Sequence, residues 1–418
     1  MVVILADDLG YGDLSSYGAK DLRTPHIDRL VNAGVRFRHF YSNSPVCSPT
    51  RAALLTGRYP DRVGVPGVIR THREENWGHL SAQAVLLPQP LAKAGYHTAI
   101  AGKWHLGLES PNTPLDRGFD TFRGFLGDMM DDYYTHRRHG RNYLRRDREV
   151  VEARGHATDL FTDWACEYLE ERKKAGKPFF LYLAYNAPHA PIQPPAEWLD
   201  RVRKDRPELP EKRSRIAALI EHMDAGVGRV MESLEANGQS ENTLVVLTSD
   251  NGGQLAVGGT CGGLRGGKED MYEGGIRVPM CAVWPGRIRA RTQSDRVALS
   301  MDLFPTVCEA AGARLPDGLD GVSLLADMEG RTGQLAARDL VWVRREGGVR
   351  YRGRDYYALR RGDWKLLQNT PFEPYQLFNL KDDPLEQSDR SQQEPKVYRE
   401  LSAALTRHIQ QAGAVPWQ

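Results

Sequence analysis

VVILADDLG (Val2–Gly10) and LVVLTSDNGG (Leu244–Gly253) are built alike: each is an apolar run that stops on two adjacent oxygen-bearing side chains, with glycine close behind. Short β-branched and aliphatic runs bounded this way read as buried strands. The stops are Asp7 with Asp8, and Asp250 with Asn251. If both strands are central and parallel, the two pairs meet at one edge of a sheet. Four oxygen donors without imidazole suit Ca²⁺ or Mg²⁺ better than zinc. Asp and Asn are also common in turns, which explains either pair alone; their recurrence at equivalent strand ends favours the metal.

Working outward, more short apolar runs follow the same plan: HTAIAGKW (His97–Trp104), PFFLYLAY (Pro178–Tyr185) and RVPMCAVW (Arg277–Trp284). Helical patterns separate them: TPHIDRLVNAGVRF (Thr24–Phe37), LLPQPLAKAGY (Leu86–Tyr96), Asp159–Gly176 and Ser214–Gly238. Strands alternating with helices predict an α/β fold, a mostly parallel central sheet sandwiched by helices. Ligands of such sheets bind beyond the carboxyl ends of the strands. Past about residue 330 the texture changes. DLVWVRR, Gly348–Asn369 and PYQLFNL alternate apolar with polar residues around Gly and Asp turns, and Lys396–Gly413 reads as a closing helix. This predicts a main domain over 1–330 and, over 331–418, a smaller α+β subdomain with a half-exposed antiparallel sheet.

The 418 residues carry a formal net charge of +2, which argues against a general nucleic-acid binder. No apolar run approaches the roughly 20 residues of a membrane helix, and no signal peptide is visible. Five scattered cysteines make neither a disulfide framework nor a zinc pattern. Cys166, Cys281 and Cys308 read as core residues. Cys47, in SPVCSPTRAALLTGRYP (Ser44–Pro60), does not. Pro49 fits the first turn of a helix, Ser48 its cap and Gly57 its end, which holds Cys47 where the helix dipole favours negative charge. Arg51 lies one turn on. Physics alone reads Cys47 as an activated thiolate nucleophile.

Other residues suit an oxyanion. Lys103 and His105, two apart at a strand end, point to one face with Trp104 on the other. His189, between Pro188 and Pro191, is a candidate acid, base or hydrogen-bond donor. Lys268 sits in a glycine-rich segment without Walker spacing, so nucleotide binding is not supported. Arginine, histidine and tyrosine gather in DDYYTHRRHGRNYLRR (Asp131–Arg146) and again over Val343–Asp363. Both read either as contacts for an anionic saccharide or as solvated basic surface.

CSPTRAALLTGRYP resembles the signature of type I sulfatases, in the arylsulfatase and N-acetylgalactosamine sulfatase branch of the alkaline phosphatase superfamily. The likeness runs through ILADDLGYGDLSSYG, TPHIDRLVNAGVRF, AGKWHLG, RGFDTFRGF, YNAPHAPIQPP, IEHMDAGVGRV, SDNGG, LRGGKEDMYEGGIRVP and YQLFNLKDDPLEQSD. It implies that Cys47 is oxidised to formylglycine by a maturation enzyme, which replaces the thiolate reading. It further implies one Ca²⁺ on Asp7, Asp8, Asp250, Asn251 and the modified residue 47. The hydrated aldehyde would attack sulfur, leave a sulfated enzyme, and expel sulfate through its second hydroxyl. Arg51 would orient the diol, Lys103 and Lys268 bind sulfate oxygens, His105 deprotonate the second hydroxyl, and His189 or Lys268 protonate the departing alcohol. The implied substrate is a sulfated carbohydrate or aryl sulfate, and the implied compartment periplasmic, secreted or lysosomal. Two alternatives stand beside it: a phosphonate monoester or phosphodiester hydrolase of the same superfamily, and a non-catalytic binder of sulfated glycans. Which sugar and which ring position, exo or endo action, and oligomeric state are not legible.

Overall fold

A computed structural model of the chain describes residues 1–72, 79–331, 337–347 and 351–415. Its main sheet grows from β1 (Val2–Ala6), β2 (Val35–Tyr41), β3 (His97–Lys103) and β4 (Thr121–Phe125). A two-residue ribbon follows, β5 (Arg137–Arg138) with β6 (Arg141–Asn142), then β7 (Leu144–Arg146) and β8 (Glu149–Val150). The later strands are β9 (Phe179–Ala184), β10 (Val245–Ser249), β11 (Met280–Val283) and β12 (Thr292–Leu299). Ten of these form one sheet in the order β12-β2-β11-β10-β1-β9-β3-β4-β7-β8. The five central strands, β10 to β4, are parallel, as the sequence predicts. β11 runs against its neighbours β10 and β2, because the long connection over residues 250–279, with only the short helical turns Leu255–Val257 and Glu273–Ile276, brings the chain back from the edge at which it left β10 rather than crossing over the sheet. β2 lies inside a stretch read as helical; α1 (Pro25–Ala33) ends there and Gly34 hands the chain to a strand.

The period-two pattern of β1 sorts its side chains. Val3 and Leu5 join a core with Ala52, Leu54 and Leu55 of α2 (Cys47–Thr56), Leu91 of α3 (Pro88–Lys93), and Phe304. Val2, Ile4 and Ala6 join the opposite core. There they meet Ile27 and Leu30 of α1, Phe161 of α4 (Ala157–Ala175), Val202 of α5 (Ala196–Asp205) and Ile220 of α6 (Glu211–Ala236). Buried apolar surface on both faces, at about 25 cal/mol per Å², explains near-continuous apolar runs in central strands.

Register then decides the site. Ala6 pairs with Ser249 across β1 and β10, so the next residues, Asp7 and Asp250, stand side by side. Asp7 continues the face of Val3 and Leu5, and Asp250 that of Val246, which belongs to the same core. Both carboxylates therefore emerge on the α2 side.

A second, antiparallel sheet holds β13 (Leu340–Glu346), β14 (Arg354–Arg361), β15 (Trp364–Gln368) and β16 (Gln376–Asn379), closed by helix Pro395–Ala412. Trp342, Leu359, Leu366 and Leu377 pack with Leu401 and Leu405, and against Tyr41 and Met301 of the main body. The Trp342 indole donates to the Ser42 carbonyl at 2.7 Å. Cys281 and Cys308 are core residues as expected, while Cys166 is only half-buried, at the edge of the core, its thiol 3.8 Å from the Arg229 carbonyl of α6.

Gly102, just before Lys103, has φ +112°, and a Cβ there would sit 1.9 Å from the Ala184 carbonyl oxygen on β9. Gly102→Ala is expected to destabilise the protein by more than about 2 kcal/mol, read as a lowered urea midpoint at unchanged slope. An unchanged midpoint would contradict the close approach of β3 and β9.

Candidate active site

Five elements deliver side chains to the carboxyl edge of the sheet. β1 brings Asp7 and Asp8, β10 brings Asp250 and Asn251, β3 ends on Lys103, the loop after β9 brings His189, and α2 begins at Cys47. The helix starts two residues earlier than a Ser48 cap requires; Val46 occupies the cap position, and the Ser48 hydroxyl instead accepts the Ile69 amide at 3.1 Å. Gly57 ends the helix in a left-handed conformation, as read.

Arg51, fully buried, answers the paired carboxylates. Its Nε and Nη2 donate to Asp250 Oδ2 at 3.0 and 2.7 Å, and Nη2 lies 3.7 Å from Asp7 Oδ2. Lys103 Nζ donates to Asp7 Oδ2 at 2.6 Å and Lys268 Nζ to Asp8 Oδ2 at 2.7 Å. Burial disfavours the Asp7 charge, but the cations of Lys103, Arg51 and Lys268 outweigh it and hold the carboxyl well below its usual range. Asp250 goes the other way: burial and the Asp7 charge push it up to about 7 despite Arg51. Two carboxylates so close resist ionising together, and a cation between them removes that conflict.

The thiolate reading of Cys47 does not hold in this setting. Burial, reinforced by Asp7, raises the thiol well above its ordinary range, and Sγ donates toward Asp7 Oδ1 at 3.4 Å. The helix dipole is outweighed by desolvation.

Lys103 and His105 do converge on the site, though not by simple alternation. Trp104 turns into the core, and His105 has a left-handed φ of +60°. Its Nε2 lies 2.7 Å from the Ile69 carbonyl, which only accepts, so Nε2 carries the hydrogen and Nδ1 a lone pair. That Nδ1 is buried and unpartnered. Burial, then Lys103, drives the His105 pKa well down, so the imidazole is neutral. His189 Nδ1 donates to the Ala190 carbonyl at 2.7 Å, leaving Nε2 to accept from Lys268 Nζ at 3.0 Å. Burial lowers the His189 pKa, and Lys268 stays protonated because the Asp8 and Asp7 carboxylates outweigh its desolvation.

Asp7, Asp8, Cys47 and His189 bring ligand atoms within 4.8 Å of one another. The Asn251 side chain donates to Asp8 Oδ1 at 2.7 Å, and its Oδ1 is buried without a partner. An orphaned amide oxygen beside three carboxylates fits a hard divalent cation.

Sequence reading missed several supporting residues. The Tyr133 hydroxyl bonds the Asn186 and His189 carbonyls at 2.8 and 2.9 Å, fixing the His189 loop. Asp128 binds Thr71 at 2.7 Å and Arg138 at 3.0 Å. Within Asp131–Arg146, Arg137, Arg138 and Arg146 are spent on Glu152, on Asp128 with Asp131, and on Glu167. Of the second basic stretch, residues 348–350 lie outside those described, and Arg344 and Arg345 face carboxylates within the chain.

A family model described as Sulfatase matches residues 1–313, and one described as N-sulphoglucosamine sulphohydrolase, C-terminal, matches residues 267–414. The chain is 35% identical to N-acetylgalactosamine-6-sulfatase of Canis lupus familiaris, over 87% of this chain and 70% of that protein. It is 34% identical to arylsulfatase A of Homo sapiens, over 78% of this chain and 66% of that one. Among solved structures, Ps i-CgsB in complex with k-i-k-neocarrahexaose superposes with a TM-score of 0.89 at 31% identity, covering 97% of this chain and 91% of that one. Among the described residues, no helix is long and apolar enough to cross a membrane.

Because protons compete with a cation for Asp250, divalent-cation affinity is expected to rise from pH 6 to pH 8, with proton release on binding. Calorimetry in buffers of different ionisation enthalpy reads this; pH-independent affinity without proton release would contradict the paired carboxylates as ligands.

Proposed function

The chain belongs to the sulfatase family, and on that premise we propose that it removes sulfate from a sulfated saccharide at an aldehyde derived from Cys47, with Ca²⁺ as its metal. The observation that carries this reading is the convergence, at one buried strand edge, of position 47 with three carboxylates and three cationic side chains.

The charges support the substrate class. Asp7, Asp8 and Asp250 balance Arg51, Lys103 and Lys268, three against three, so a bound divalent cation leaves the pocket positive for an anionic ester. Asp7, Asp8, Asp250 and Asn251 would hold the ion, which would supply positive charge beside the sulfate oxygens. A hydrated formylglycine would supply one hydroxyl to attack sulfur, its S–O bond forming as that to the alcohol breaks, and a second whose ionisation would expel sulfate and restore the aldehyde.

The chain's own residues do the rest. Arg51 keeps the residue-47 end of α2 against the acidic pair. Lys103 and Lys268 bind sulfate oxygens, stabilising charge that builds on them. His105 accepts a proton at Nδ1, its tautomer fixed by the Ile69 carbonyl. Lys268, hydrogen-bonded to His189 Nε2, gives the proton to the departing alcohol, and His189 takes part as its partner. The relative's name, N-acetylgalactosamine-6-sulfatase, supports a sugar as leaving group. Membership of the Sulfatase family and the metal-binding chemistry of Asp and Asn favour sulfate over the phosphonate and phosphodiester alternative, and an intact catalytic set favours turnover over mere glycan binding.

Peptide mass spectrometry across Ser44–Arg58 is expected to find aldehyde in place of thiol at position 47. Protein so verified should hydrolyse sulfated sugars and 4-nitrophenyl sulfate in preference to 4-nitrophenyl phosphate, and Cys47→Ser should lose at least about a thousandfold in kcat. Verified protein that cleaves phosphate esters and leaves sulfate esters intact would sink the reading.

A further inference from the structure

Lys268 is followed by a residue whose backbone is held from two sides. Glu269 has φ +82°, a left-handed conformation that a non-glycine residue adopts at a cost of about 1–2 kcal/mol, and one usually over-determined by its surroundings. Its amide donates to the Pro45 carbonyl at 2.9 Å, two residues ahead of Cys47. Its own carbonyl accepts from Arg344 Nη1 at 2.9 Å. Arg344 belongs to β13, in the C-terminal sheet, yet its side chain is 1% exposed and reaches back into the main body. A buried guanidinium needs both a counter-charge and acceptors. Glu346, 2% exposed, supplies one through a 3.1 Å bond to Arg344 Nε, and the Tyr356 ring lies 4.8 Å from the guanidinium carbon.

The same sheet grips the rest of the Lys268 segment. Met271 N donates to Asn369 Oδ1 at 2.6 Å, the Tyr272 hydroxyl to Gln376 Oε1 at 2.7 Å, and Glu273 N to Glu386 Oε2 at 2.7 Å. Buried Lys365 bridges Glu273 and Glu386 at 3.0 and 2.8 Å. Of these contacts, the Arg344 bond falls nearest in sequence to the lysine, on the carbonyl of the residue immediately after it. Strand β13 serves the opposite wall as well: Arg345 N donates to the Pro66 carbonyl at 2.9 Å, in the loop whose Ile69 carbonyl fixes His105.

We infer that Arg344 is a positioning residue for the sulfatase reaction, holding the carbonyl of Glu269, the residue next to Lys268, so that the Lys268 ammonium stands over position 47. The inference rests on the role given to Lys268 above. Arg344 touches no reacting atom; it acts through the lysine, and displacements of an ångström at such a group cost up to about a hundredfold in rate.

A double-mutant cycle on protein verified as matured at position 47 tests it. Arg344→Met is expected to lower kcat on a sugar sulfate about ten- to a hundredfold with KM changed less than about threefold. The loss on 4-nitrophenyl sulfate, whose leaving group needs no proton, should be smaller. In a Lys268→Ala background, Arg344→Met should cost less than about twofold more. Arg344→Lys, which keeps the charge against Glu346 and loses the planar fork, should follow the same pattern and carries the test if Arg344→Met does not fold. Full multiplicative losses in the Lys268→Ala background, or equal losses on both substrates, would overturn the inference. A Lys268→Ala protein with undiminished activity would instead overturn the role of Lys268 itself.

Discussion

Two aspartates placed side by side by strand register are the constraint on which the site is organised. Asp7 and Asp250 leave adjacent parallel strands on one face, fully buried, where charges of one sign repel without water to screen them. Every neighbour can be read as an answer to that conflict. Arg51 comes one turn along α2 from Cys47 and bonds Asp250 while standing near Asp7; Lys103 closes on Asp7 from β3; Lys268 reaches Asp8 from the glycine-rich segment. The Asn251 oxygen beside them is the one hard donor of the set left without a partner. Taking any one charge away leaves an uncompensated one in a dry pocket, which is why these residue types occur together.

The same dryness governs residue 47. A thiol in this pocket is a poor acid and a poor nucleophile, because burial and Asp7 both oppose its anion. A hydrated aldehyde need not enter as an anion, and the neutral imidazole of His105 offers it a buried lone pair. The environment therefore suits an oxygen nucleophile made from the cysteine better than the cysteine itself. Two walls set that geometry, and β13 braces both: one through the Pro66–Ile69 loop behind His105, the other through Arg344 behind Lys268.

The central sheet was legible because its strands are buried on both faces and so read as continuous apolar runs, and because Asp7, Asp8, Asp250 and Asn251 interrupt two of them at the same point. Cys47 and Arg51 were legible through helix-start chemistry, but the thiolate was not, since the dipole is visible in sequence and desolvation is not. β2 was hidden because Val35–Tyr41 mixes arginine and histidine with apolar residues, and β11 because strand direction depends on which edge a loop returns to. Tyr133, Asp128 and Arg344 escaped for a different reason. They act through hydrogen bonds to backbone carbonyls and a hydroxyl made across more than fifty residues of chain, and nothing in local spacing marks such contacts. The basic runs misled in the other direction, since three of their guanidinium groups in Asp131–Arg146 neutralise nearby carboxylates.

The most direct test is a crystal structure of protein grown with calcium, read by anomalous scattering. A single calcium peak coordinated by Asp7, Asp8, Asp250 and the Asn251 side-chain oxygen, at roughly 2.3–2.6 Å, is the expected result. A peak elsewhere, or one in this pocket that leaves Asn251 Oδ1 uncoordinated while Asp7 and Asp250 remain bonded only to Lys103 and Arg51, would contradict it.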